Sequence, residues 1–104
     1  MDKIIRQAVM ERSQGLCELC ESNDRVEPHH IIKGRGKRLQ HETKESVIAL
    51  CWGHHHGTDG VHGKNGYKLD LKLKIQLQQT YFNQGYTEEK VRKMMGGKLY
   101  DTSY

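Results

Sequence analysis

The sequence predicts a small α+β domain stapled by metal, and three observations carry that prediction. Cysteine and histidine fall in two pairs of knuckle spacing, Cys17-x-x-Cys20 and Cys51-x-x-His54. Two short apolar runs of strand length, residues 25–32 and 46–51, flank a polar stretch. Helical periodicity is confined to the first dozen residues and to the last third of the chain. With 104 residues, no linker and no internal repeat, the chain reads as a single domain, 1–104, with a motif core at about 17–66 and a C-terminal helical extension at 67–104. Only 35% of residues are hydrophobic, with one Phe and one Trp, so the core is small and a metal is the expected supplement.

In chain order, Ile4, Ile5, Ala8 and Val9 recur at helical spacing over residues 2–13, with Asp2 as N-cap and Gly15 as stop. Cys17-Glu18-Leu19-Cys20 forms a knuckle, and Ser22-Asn23-Asp24 is turn chemistry. Residues 25–32 read as a strand, in which Pro28 marks an edge or a bulge. The polar stretch 33–44 interleaves Lys33, Arg35, Lys37 and Arg38 with glycines, making a basic loop. Residues 46–51 suit a buried strand antiparallel to the first. Glycines at 57, 60, 63 and 66 make the backbone after His54 permissive and cut short any helix begun there. Leu69, Leu71, Leu73, Ile75 and Leu77 alternate like a strand but also form i, i+4 rows; length and propensity favour a helix. A last helix starts at Thr87, carries Glu88 and Glu89 in its first turn and ends at Gly96-Gly97.

The bulk properties narrow the function classes. Lys plus Arg is 17 against 13 Asp plus Glu, a net charge of +4 that is compatible with a polyanionic partner. Three cysteines argue against a closed disulfide framework and for thiolates held on metal in a reducing compartment. No apolar run approaches the ~20 residues that span a bilayer, and no signal segment opens the chain, so the expectation is cytoplasmic, without a membrane partner. The two ligand pairs compose a Cys3His structural zinc site of Cys17, Cys20, Cys51 and one of His54, His55 or His56, with His54 on the knuckle spacing. Seven histidines are more than one such site needs. His29-His30, adjacent on a strand, face opposite sides unless a bulge intervenes, so one could bind an ion while the other handles a proton.

The run Cys-x-x-Cys, His29-His30-Ile31 and Ile48-Ala49-Leu50-Cys51-x-x-His54-His55 resembles the zinc-stabilised HNH endonucleases. The resemblance covers about residues 4–66, and the stretch 60–66 is similar to small phage-encoded members. It implies a ββα-metal fold, here with flanking N- and C-terminal helices, and a DNA endonuclease that hydrolyses phosphodiester bonds in a prokaryotic or phage-infected cell. By position, His30 matches the general base, His29 and His55 match ligands of a catalytic divalent ion such as Mg2+, Mn2+ or Ni2+, and His62 matches a further ligand. Lys33, Arg35, Lys37 and Arg38 would grip DNA phosphates, unless the loop is ordinary solvated surface. The departure is Ser46, standing where the family has the Asn that braces the loop and orients the base. A hydroxyl lacks the amide's reach and second donor, so this loop must be held differently. That opens a second reading, a catalytically silent zinc module binding nucleic acid or a protein. Outside the motif, the C-terminal helices supply core and a surface for a partner or a second copy. Tyr81, Tyr86, Tyr100 and Tyr104 suit packing more than base stacking.

Overall fold

A computed structural model describes residues 1–33 and 41–101. Arg35, Lys37 and Arg38, which the sequence offers as nucleic-acid contacts, lie outside the described residues, as does Tyr104. Helix α1 spans Lys3–Ser13; the Asp2 carboxylate accepts from the Ile4 and Ile5 N–H groups at 2.7 and 3.3 Å, satisfying two donors that the first turn leaves unpaired. The helix stops one residue before the expected glycine: Gln14 is already left-handed at φ 57°, and Gly15 follows at φ 75°.

Strands β1 (Glu27–His30) and β2 (Val47–Leu50) form a two-stranded antiparallel sheet, each shorter than the apolar run that predicts it. The register is one to one from Glu27↔Leu50 to His30↔Val47, so β1 carries no bulge and Pro28 is accommodated simply by lying opposite Ala49. Ala49 turns its N–H and C=O away from proline, which has no N–H to offer, and toward Glu18. The Ala49 N–H donates to Glu18 Oε2 at 2.7 Å, and the Glu18 N–H donates to the Ala49 carbonyl at 2.9 Å. The cysteine knuckle is thereby stitched onto the outer edge of β2. Arg12 reinforces the seam, donating to both Glu18 oxygens at 2.6 and 2.9 Å and to the Lys44 and Val47 carbonyls at 2.8 Å each.

Helix α2 (Trp52–His56) follows β2 directly, and α3 (Tyr67–Asn83) and α4 (Glu88–Met94) complete the chain. The ambiguous leucine segment is helical. Leu73, Leu77 and Tyr81, spaced by four, are its buried row, while Leu71 and Ile75 are only half-buried. Thr87 caps α4 as its sequence predicts, Oγ1 accepting from the Lys90 N–H at 3.2 Å. The main core gathers Leu50, Leu73, Leu77, Tyr81 and Val91; a smaller cluster of Val9, Val47 and Ala49 lies under α1. Each fully buried Leu or Val contributes roughly 1.5–3 kcal/mol. Residues paired across an antiparallel sheet share a face. His30, opposite Val47, therefore points to the α1 side, and His29, opposite Ile48, points to the α2 and α3 side.

Candidate metal centres

Backbone geometry builds the first centre. The Cys17 N–H donates to the Ser22 carbonyl and the Glu21 N–H to the Cys17 carbonyl, both at 2.8 Å, closing a knuckle in which Glu21 is left-handed at φ 63°. Cys51 follows β2 as the N-cap residue of α2, which places His54 one helical turn onward on the same side. Cys17, Cys20, Cys51 and His54 lie close together and could bind a metal ion. His54 Nδ1 is 3.5 Å from Cys17 Sγ and 3.3 Å from Cys51 Sγ, and Cys20 Sγ is 3.7 Å from Cys51 Sγ. Tetrahedral ligands at zinc bond lengths stand roughly 3.8 Å (S to S) and 3.6 Å (S to N) apart, close to these separations. Burial pushes the Cys17 thiol up, but backbone hydrogen bonds at Cys51, Leu19 and Cys20, with the Cys20 thiol, outweigh it and bring it down to about 6. At Cys20 a backbone hydrogen bond at Ser22 pulls the other way, yet burial and the sulfurs of Cys17 and Cys51 leave the thiol raised. One thiolate forms readily and the next resists, which is the imbalance a bound cation relieves. Small buried cysteines would explain Cys17 and Cys51 but not Cys20, which is exposed.

A second centre lies across α2 from the first. His29 from β1, His55 from α2 and His62 from the turn before α3 bring one ring nitrogen each within 4.8 Å of the others. Their ring centroids are 5.2, 5.1 and 4.8 Å apart. His29 Nε2 and His55 Nδ1 are buried without a hydrogen-bond partner. An unpaired buried polar group costs about 1–3 kcal/mol, so two in one cluster mark a place that a cation fits. Burial, then the charge of Lys33 and the neighbouring rings, lowers His29 to about 3; burial, then His56 and His62, lowers His55 to about 4. His62 is lowered for the same reasons, opposed by Asp70. All three imidazoles thus favour the neutral form that binds metal. Protons should compete only below the lowered values, not near 6.5. Between pH 7.5 and 5.5, Mn2+ or Ni2+ affinity measured by calorimetry should fall by about tenfold at most. Three ordinary imidazoles would lose up to ~10³-fold over that range, and a loss of that size would show the rings to be ordinary solvated histidines.

The glycines of this turn have a different role from the one the sequence suggests. Gly57, Gly60, Gly63 and Gly66 all keep negative φ. What they permit is close backbone approach: a Cβ on Gly63 would lie 1.8 Å from the Gly57 carbonyl oxygen, and one on Gly66 would lie 1.8 Å from that of Gly60. The stacked turn is fastened to α2 by the Val61 N–H donating to the His54 carbonyl at 2.8 Å and the His62 N–H to that of His55 at 3.0 Å. Gly63→Ala should therefore displace His62 and weaken the triad's ion by roughly 10- to 100-fold, the scale of a lost supporting contact. Ion content at Cys17, Cys20, Cys51 and His54 should not change; equal ion affinity in the variant would show that the turn does not set the triad.

His30 belongs to neither centre. Its Nε2 donates to Glu42 Oε2, and Glu42 Oε1 accepts from the Asp2 N–H at 2.8 Å. Burial raises the Glu42 carboxyl, but these hydrogen bonds and the nearby N-terminus hold it below its ordinary value, so it is the acceptor. Ser46 does order the approach to β2. It is buried, its Oγ accepts from the Thr43 N–H at 2.9 Å, and its hydroxyl is shared between the His41 and Thr43 carbonyls at 3.2 and 3.1 Å. Thr43 Oγ1 in turn bonds Tyr81 OH at 2.7 Å. A serine, a threonine and a tyrosine from α3 together brace the segment that presents Glu42 to His30.

Glu42 is the residue the sequence reading misses, since a lone carboxylate in a polar loop carries no spacing signal. Glu27 is also missed; with His55 and with His56, which the sequence offers only as an alternative zinc ligand, it forms another possible ligand group, Glu27 Oε2 lying 4.0 Å from His55 Nδ1. Of the basic-loop residues, Lys33 is described, and its Nζ meets Asp70 Oδ1 at 2.9 Å. Among the described residues no helix is long and apolar enough to cross a membrane. Compared with known family patterns, curated proteins and solved structures, the chain matches none.

Proposed function

We propose that this protein is a metal-dependent DNA endonuclease of the HNH kind, built on a ββα-metal core of β1, β2 and α2, with a structural zinc at Cys17, Cys20, Cys51 and His54. The observation that carries the reading is the convergence of His29, His55 and His62, with two orphaned buried nitrogens, beside a separate sulfur-rich cluster. A zinc module has no use for a second, all-nitrogen site. Neutral imidazole ligands suit Ni2+ or a similar borderline divalent ion, which when bound would polarise a phosphodiester and stabilise its leaving oxygen. The chain's own residues supply the rest. His29 from the strand, His55 from the helix and His62 from the turn would hold the ion. His30 takes the proton of the attacking water, with Glu42 holding its Nε2–H and so fixing Nδ1 as the basic nitrogen. Ser46 braces the Glu42 segment in place of the family's Asn.

One observation favours the silent zinc module instead: β1 is regular, so His30 points to the face opposite His29. Plasmid relaxation with purified protein and added Mg2+, Mn2+ or Ni2+ decides between them. Metal-dependent nicking that His29→Ala removes supports the nuclease. No cleavage of any nucleic acid under any of these ions leaves the silent module.

A further inference from the structure

Beyond the motif, the C-terminal third builds a basic pocket against the end of β1. A cavity of about 140 Å³ lies between Ile32 and Lys33, Lys74 of α3, Met95 at the end of α4, and Lys98 and Tyr100 of the C-terminal segment. Its volume is well below the ~300 Å³ at which pockets for drug-sized ligands begin, so it admits one small group rather than a nucleoside. Three ammonium groups line it. Asp70, largely buried, bridges two of them, Oδ1 meeting Lys33 Nζ at 2.9 Å and Oδ2 meeting Lys74 Nζ at 2.8 Å. Both contacts are ion pairs, and Asp70 Oδ1 has no hydrogen-bond partner, so both ammonium groups retain donors for another acceptor. Lys98 Nζ and Lys74 Nζ stand 5.2 and 5.8 Å from the Tyr100 ring centroid, which gathers two like charges around one ring. The described lining of the pocket holds three lysines and no carboxylate, and Asp70 beside it offsets one of those charges, so an anion would find a positive environment.

The wall that carries Lys98 and Tyr100 is anchored. Gln78, a buried amide on α3, accepts from the Tyr100 N–H at 2.7 Å and donates to the Tyr100 carbonyl at 2.9 Å. A buried side chain thus clamps both backbone groups of one residue and holds the segment in place. Lys33, which lines this pocket, also lies near enough to the triad for its charge to lower His29, His55 and His62.

We propose that Lys33, Lys74 and Lys98 form a subsite for a single phosphate group of a nucleic-acid backbone, next to the phosphodiester held at the histidine triad. The inference rests on the nuclease reading for its substrate, and its chemistry, a tetrahedral oxyanion on three lysines, is shared with free phosphate. The test is fluorescence anisotropy of a short labelled duplex against salt, without added divalent ion, on the full chain and on Lys98→Ala and Lys74→Gln. Lys98 is exposed and has no ion pair to lose among the contacts described, so that variant should fold; melting and zinc content are measured alongside. Each variant is expected to weaken binding and reduce the slope of log affinity against log salt by up to about one, and the two together by no more than about one, because a single phosphate contributes about that much. Unchanged slopes in both variants overturn the subsite, even if plasmid cleavage by the parent upholds the nuclease. Reduced slopes with no cleavage under any ion uphold the subsite and remove the nuclease. Inorganic phosphate that raises the parent's melting temperature but not that of Lys98→Ala, with duplex slopes unchanged, would make this a free-anion site and also overturn the proposal.

Discussion

Cys17→Ser should cost this protein both its knuckle ion and its fold. Cys17 is 1% exposed and belongs at once to the ligand cluster and to the main apolar core. A domain of this size has a net stability of about 5–15 kcal/mol. Structural zinc in finger peptides contributes an apparent ~10–16 kcal/mol, so losing it removes a quantity comparable to the whole. The architecture points the same way. The knuckle is what Glu18 stitches to the edge of β2, and Cys51 and His54 are what start α2. Ion content by mass spectrometry and thermal melting by circular dichroism check the expectation. Cys20→Ser is the control, because Cys20 is exposed and its loss removes a ligand without removing core. Equal ion loss and melting in both variants attribute the effect to the ion. A Cys17→Ser protein that melts cooperatively while ion-free would mean that the apolar clusters suffice.

How much of this was legible from the sequence depends on whether the signal is local. Caps, strand pairing and helix period are local: Asp2, Thr87 and the 73, 77, 81 row all act as their residue types dictate. The Cys-x-x-Cys and Cys-x-x-His pairs are local as well, and His54 is the histidine whose ring nitrogen meets the sulfurs because it alone stands three residues from Cys51. The glycine-rich turn was legible as a turn but not in its reason. Close backbone stacking leaves the same residue type in the sequence as left-handed φ does. Pro28 was ambiguous for a similar cause, since an edge strand and a bulge both tolerate a missing N–H. Contacts across long separations were not legible. Glu42 meets His30 and the Asp2 N–H through the packing of the segment before β2 onto α1, and Thr43 reaches Tyr81 across the domain. Nothing in a 3.6- or 2-residue period encodes such meetings. The sequence shows Lys33 only as part of a basic stretch; its partner Asp70 lies on a helix that the motif does not include.

On the proposed nuclease reading, His30→Ala should leave the fold, the knuckle ion and DNA binding intact while lowering cleavage by ~10²-fold or more, the usual scale for a lost general base. The expectation follows from the pair that His30 makes. A buried carboxylate, itself fixed by the Asp2 N–H, accepts from His30 Nε2, which sets the tautomer and supports the imidazolium formed when the ring takes a proton. Glu42→Ala should thus reproduce part of the loss with His30 still present. Glu42→Gln, whose single carbonyl oxygen can serve either Nε2–H or the Asp2 N–H but not both as well, should fall between. Ligand variants behave differently: His29→Ala or His55→Ala should weaken the divalent ion, so excess Mn2+ partly restores their cleavage, whereas no excess restores His30→Ala. Single-turnover cleavage at saturating metal separates the two kinds of defect. If His30→Ala nicks plasmid as fast as the parent, the base assignment fails, and the geometry directs the search to His56. That ring is exposed, 4.1 Å from His55 and 5.7 Å from His62, on the same face as the triad rather than across the sheet from it.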